Sequence, residues 1–194
     1  METQRSLVDF LSTKVMEGDT LLFDMDGTLI DTNSCNTKAY KAAVEDVLGS
    51  GYAELLDTTR VERTILRERL SWISEKQFAH IVELKEQLYV QYLDEVEIID
   101  STKAVLDFFR TTNSVALVTN ARRERVDQTL ERVGFKGAFD AIVTREDCNG
   151  CDKFAAAIRQ MALNPEKVWV FENEEMQVAS AISAGVNVEH VILV

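Results

Sequence analysis

One proline, Pro165, and no stretch rich in proline, glycine or serine leave the chain of 194 residues without anything that reads as a linker. It holds no internal repeat and no low-complexity tract. Cysteine is scarce: Cys35 stands alone, and Cys148 and Cys151 form a CNGC. A structural zinc site needs about four ligands, and the only histidines, His80 and His190, are isolated in sequence. CNGC leaves three readings open, a metal site, a redox pair or a turn around Asn149-Gly150. Basic residues number 21 against 33 acidic, a formal net charge of −12 with no basic run, which argues against nucleic-acid binding. No apolar stretch reaches the ~18 residues of a membrane span. The first twenty residues show no basic start, no continuous apolar core and no small-residue cleavage site, so a cytoplasmic protein is expected.

What is present suits one domain with a modest insertion: 46% hydrophobic residues and 28% charged. Residues 1–17 read as an amphipathic helix with Leu7, Phe10, Leu11 and Val15 at helical spacing, stopped by Gly18. That helix would pack on the sheet or on another subunit. A strand follows at Thr20–Asp24. Residues 33–100 then carry the 3.6 period in three segments, with Thr58 or Thr59 and Ser74 as helix N-caps and Trp72, Phe78, Tyr89 and Tyr92 as packing aromatics. From 101 onward helices alternate with short apolar strands: SVALVTN, FDAIVT, VWVFEN and HVILV. The expectation is an α/β fold, a doubly wound, parallel, five-stranded, Rossmann-like sheet built from residues 1–32 and 101–194 and interrupted by an all-helical insertion at 33–100.

In such sheets ligands lie beyond the carboxyl ends of the strands. There the first strand ends in LLFDMDGTLIDT. Asp24 and Asp26, two residues apart, would share a face about 7 Å apart and raise each other's pKa unless a cation holds them. The next strand ends in Thr119-Asn120, and VWVFEN ends in Glu172-Asn173, followed by Glu174 and Glu175. Each alone also reads as a strand end or helix start; their coincidence on three strands favours a site.

FDMDGTL, ALVTN and NPEKVWVFENEEMQVASAISAGV together resemble the first, second and fourth motifs of the haloacid-dehalogenase superfamily. With its helical insertion, the chain is similar to the small-cap branch that holds phosphoglycolate phosphatases and β-phosphoglucomutases. The resemblance spans residues 20–194. It implies that Asp24 is a nucleophile forming an aspartyl-phosphate and that Asp26 is the general acid and then base. Thr119 would hydrogen-bond the phosphoryl group, with Thr28, Asn120 and, from the insertion, Arg60 as substrate contacts beside Thr59 and Arg63. Mg²⁺ would be held by Asp24, the main-chain carbonyl of Asp26, and Glu172 and Asn173. The second aspartate argues against a true dehalogenase.

Two departures stand out. Asn173 occupies the position where the family has an aspartate, and Glu174 replaces a small hydroxyl residue. The family's lysine loop is short here; counting without gaps puts Cys148 at the lysine position, and Lys153, on the first turn of a helix, is the candidate replacement. The resemblance thus implies a Mg²⁺-dependent phosphatase acting on a small phosphorylated metabolite, as a monomer or homodimer. The alternatives are a sugar phosphomutase and a binding or regulatory member with a degenerate site.

Overall fold

The computed structural model describes residues 2–58 and 60–194, with side chains from Leu7 onward. The chain divides into two compact units, Met1–Ile30 with Ile98–Val194, and Asp31–Glu97.

In the first unit, helix α1 (Glu2–Ser12) packs against α5 (Asp100–Phe109). It stops five residues before the expected end. Val15 is buried from a turn beyond it, its amide donating to Leu11 O at 2.8 Å, and Phe10 is exposed beneath the Lys14 ammonium. Strand β1 (Thr20–Phe23) is buried at every position and apolar after Thr20, as suits a strand covered on both faces. Its neighbours are β4 (Ser114–Val118) and β6 (Val168–Glu172); β5 (Ala141–Val143) and β7 (Val191–Leu193) lie outside them. The order is β5-β4-β1-β6-β7, every pair parallel. Phe23 and Phe171 stand opposite each other on β1 and β6, rings stacked at 4.6 Å. On one face Leu22, Val118, Val168 and Val170 pack with Phe154 and Ala157 of α7 (Lys153–Gln160) and Ala181 of α8 (Glu175–Ser183). Helix α6 (Arg123–Val133) follows β4 and ends at Gly134, whose φ of 77° is the left-handed C-cap conformation.

The chain leaves this unit through β2 (Ile30–Asp31) and returns through β3 (Glu97–Ile98), two short strands that pair with each other. Strand β3 falls within residues 33–100, which the 3.6-period reading gives as helical throughout. The second unit is helical: α2 (Asn33–Leu48) packs on α4 (Glu75–Tyr89) around Tyr40, Val44, Leu66, Leu70 and Ile81. Ser74 caps α4 with a full capping box to Gln77. The intervening helix α3 (Arg63–Arg69) is shorter than its periodicity predicts: Glu62, not Thr58, precedes it, and Thr59 falls outside the described residues. After Tyr89 the chain tightens to 3₁₀ over Val90–Glu95. Tyr89 is buried as expected, but Trp72 lies on the surface against Tyr52. No helix among the described residues is long and apolar enough to cross a membrane.

Candidate active site

Three neighbouring parallel strands end on one edge of the sheet. Their registers place Asp24 just past β1, Thr119 just past β4 and Glu172 at the end of β6. Strand β1 ends at Phe23, and Asp24 stays bound to the sheet through its amide, which donates to Phe171 O at 3.0 Å. The chain then turns: Gly27 N donates to Ile30 O at 2.7 Å, and Leu29 N and Ile30 N both reach Met25 O at 3.1 Å.

The two aspartates take different partners. Asp24 is buried, and the Lys153 ammonium lies 2.5 Å from its Oδ1 and 2.7 Å from Glu172 Oε2. Asp26 points to a different cation: Arg125 Nη2 is 2.5 Å from its Oδ2. The like charge that bears more strongly on Asp24 is therefore Glu172, not Asp26 as the DxD spacing suggested. Burial pushes the Asp24 carboxyl up to about 7 against the pull of Lys153, and Glu172 adds to the rise. Burial alone would lower the Lys153 pKa; the Asp24 and Glu172 carboxylates overcome it and hold the ammonium above its ordinary value.

Lys153 reaches these acids because a capped helix starts at it. Asp152 accepts from Phe154 N at 2.8 Å and Ala155 N at 3.1 Å, which fixes Lys153 as the first residue of α7. A cation at a helix N-terminus opposes the helix dipole; two carboxylates within hydrogen-bond distance offset that. The preceding loop is pinned by Asp147, which accepts from Thr144 N at 2.8 Å and from Arg123 Nη2 at 3.0 Å. Asn149 and Gly150, with φ of 50° and 80°, form the turn that was one reading of CNGC. Cys148 is a buried thiol donating to Thr144 O at 3.3 Å, its pKa raised by burial.

The other expected residues divide. Thr119 is buried and its Oγ1 accepts from Ala121 N at 3.1 Å, while Asn120 is exposed at the strand end. Thr28 is 0% exposed: its carbonyl accepts from Thr102 Oγ1 and its hydroxyl faces Asn173 at 3.4 Å. Thr28 is as buried as Thr119, and its contacts within the described residues are to the loop and to Asn173. Arg60 belongs to the helical unit, where its Nε is 2.6 Å from Glu62 Oε1; Arg63 is exposed there, and Thr59 is outside the described residues. Arg125 escaped the sequence reading. Its only signal was the basic RRER directly after the second-motif strand.

Among the described residues no group of three or more His, Cys, Asp and Glu side chains is arranged to hold a metal. The donors here are of a different mix: the Asp24 carboxylate, the Asp26 main-chain carbonyl, Glu172 and the Asn173 side chain. Glu172 Oε1 is already oriented, accepting from Asn173 N at 2.9 Å and Glu174 N at 3.1 Å. The set is all hard oxygen and includes two carboxylates, Asp24 and Glu172, which both face the Lys153 ammonium. That chemistry fits Mg²⁺.

The pattern of the haloacid dehalogenase-like hydrolase family matches residues 21–191. The chain is 27% identical over 184 residues to a phosphorylated carbohydrates phosphatase of Thermotoga maritima, covering 87% of this chain and 82% of that protein. It is 25% identical over 185 residues to the fructose-1-phosphate phosphatase YqaB of Escherichia coli, covering 86% and 93%. Its fold is similar to that of CbbY from Rhodobacter sphaeroides, solved in complex with phosphate, with TM-score 0.71 and 20% identity over 92% of this chain and 86% of that one. The chain belongs to the haloacid dehalogenase-like hydrolases.

Proposed function

We propose that the protein is a Mg²⁺-dependent phosphatase that hydrolyses a small phosphorylated metabolite of the sugar-phosphate class through an aspartyl-phosphate on Asp24. The observation that carries this reading is the Lys153 ammonium held between Asp24 and Glu172 at 2.5 and 2.7 Å, in spite of the shortened loop. The names of the two curated relatives, a phosphorylated carbohydrates phosphatase and a fructose-1-phosphate phosphatase, support the substrate class.

Asp24 attacks phosphorus and the bond to the leaving oxygen breaks; Asp26 gives that oxygen its proton. Asp26, now a carboxylate, takes a proton from water, which attacks the aspartyl-phosphate and frees inorganic phosphate. Lys153 offsets the charge of the nucleophile and of the incoming phosphoryl oxygens. Thr119, with Asn120 at the same strand end, binds a phosphoryl oxygen, and Arg125 holds the Asp26 carboxylate in place. Asp24, the Asp26 carbonyl, Glu172 and Asn173 would hold Mg²⁺, which supplies neutralisation of the charge that accumulates when a carboxylate meets a phosphate dianion.

The test is phosphate release from a panel of sugar phosphates and an aryl phosphate, with and without Mg²⁺, beside Asp24→Asn. Turnover that needs Mg²⁺ and is lost in the variant is the expected result. Asn173 favours a second reading, a phosphate-binding member without turnover. Binding of substrates across the panel with no phosphate released at saturating Mg²⁺ would decide for it.

A further inference from the structure

Asn173 is where the chain departs from the family's acid, and its surroundings give the departure a role. One terminal atom of its amide lies 3.1 Å from Glu172 Oε1 and 3.1 Å from the Asp26 main-chain oxygen. The Thr28 hydroxyl is 3.4 Å from the same atom. The amide is pressed against Gly27, where a Cβ would stand 2.3 Å from it, so it has little room except to rotate in place.

The carboxylate and the carbonyl oxygen only accept protons. With the amide oxygen turned toward them, three oxygens meet with no proton among them; with the nitrogen there, its two N–H groups donate to both. The Thr28 hydroxyl serves either arrangement, since it donates or accepts by rotating. The proton-free arrangement is also what a cation needs. Oxygens on adjacent corners of a Mg²⁺ octahedron with bonds of ~2.1 Å stand about 3.0 Å apart, close to the 3.1 Å separations found.

We propose that Asn173 is a reversible stopper of the cation site: in the metal-free protein its NH₂ bridges Glu172 and the Asp26 carbonyl, and the cation binds when the amide turns about χ2 to present Oδ1. This rests on the metal-dependent reading above. The turn exchanges two atoms of similar size, so the cramped site accommodates both states. An aspartate cannot do this. Ionised, it has no proton to donate and sets a third carboxylate beside Asp24 and Glu172, so the empty site repels itself and the filled one gains. Asparagine stabilises the empty state and weakens Mg²⁺ binding, which makes occupancy follow the free Mg²⁺ concentration.

The test compares the full chain with Asn173→Asp by calorimetric titration with MgCl₂ and by melting with and without it. The expected result has three parts. Asn173→Asp melts below wild type without metal, Mg²⁺ raises its Tm more than that of wild type, and its Mg²⁺ Kd is at least ~10-fold tighter. Equal metal-free stability or equal Kd overturns the proposal. Should the variant not fold, the ¹⁵N side-chain NH₂ signal of wild type that is lost in Asn173→Ser decides. It should exchange slowly without metal and shift on Mg²⁺ saturation; fast exchange and no shift overturn the proposal. None of these readouts needs turnover, so failure of the stopper and failure of the phosphatase reading are seen in separate measurements.

Discussion

Lys153 Nζ lies 2.5 Å from Asp24 Oδ1, across 129 positions of sequence, and the same ammonium binds Glu172. The first residue of a helix thus neutralises the end of the central strand. Lys153→Met leaves two buried carboxylates without their shared cation. Breaking such a pair costs on the order of 3–5 kcal/mol; Asp24, already raised to about 7, limits that loss by taking up a proton. Urea unfolding should show the destabilisation. Phosphatase turnover should fall about 10²–10³-fold, the scale of losing one preorganised electrostatic group. Turnover within a few-fold of wild type would remove Lys153 from the chemistry.

The Asp24 carboxyl sets a pH dependence with a definite sign. Its pKa is about 7 in the folded chain against a model value of 3.8. The folded state therefore binds the proton more tightly, and the resulting stability is complete below pH ~3.8 and is lost as pH rises to ~7. The metal-free stability of wild type minus that of Asp24→Asn should fall across this window and level off above it. Lys153 is raised above 10.5, so its contribution is present below that pH and does not intrude. A difference that is flat or rises from pH 4 to 7 contradicts the assignment.

Arg125 holds Asp26 from the first turns of α6, with the two side chains 14% and 23% exposed. As a positioning residue for the proposed general acid, it should matter most where the leaving oxygen needs a proton. Arg125→Met should lower kcat up to about 100-fold on an alkyl phosphate, the cost of a small misplacement, and much less on an aryl phosphate with a good leaving group. An equal loss on both substrates would mean a structural role only.

Gly27 combines a φ of +84° with an Asn173 side chain that leaves no room for a Cβ. Gly27→Ala should cost at least about 1–3 kcal/mol from the backbone conformation alone, and it should displace the Asn173 amide. Melting and MgCl₂ titration check both, and unchanged values for both would show that the turn yields.

Ser74→Ala removes one side of the α4 capping box and should cost about 1 kcal/mol. Because α4 belongs to the Asp31–Glu97 unit, chemical denaturation followed by helical signal should register the loss, while the Asp24–Lys153 pair in the other unit keeps its pH dependence.

Much of this was legible along the chain. The short, mostly apolar runs TLLF and VWVFE are buried at every position, so hydrophobic pattern marked these strands of the parallel sheet. Polar residues at their carboxyl ends marked the site edge. Ser74 read correctly as a cap because a capping box is closed within four residues. Periodicity misled where a local repeat was not backed by packing. Val15 keeps helical spacing but is buried from a turn, and the helix expected before Ser74 forms only over Arg63–Arg69. Trp72 shares the spacing of buried aromatics yet lies on the surface.

The sequence by itself determined the fold class, the edge of the sheet where polar groups gather and the identity of the acids there, because those follow from patterns a few residues long. Only the tertiary structure decided how the charges pair. DxD spacing set Asp24 beside Asp26, whose charge does help to raise the Asp24 pKa, but it did not show that Asp24 pairs with Lys153 and Asp26 with Arg125, a partner 99 positions away. The tertiary structure also buried Thr28 behind the loop and aimed Asn173 at the Asp26 carbonyl. Electrostatic and hydrogen-bond energies depend on separations of a few ångströms, and strand register and helix starts set those separations without regard to distance along the chain.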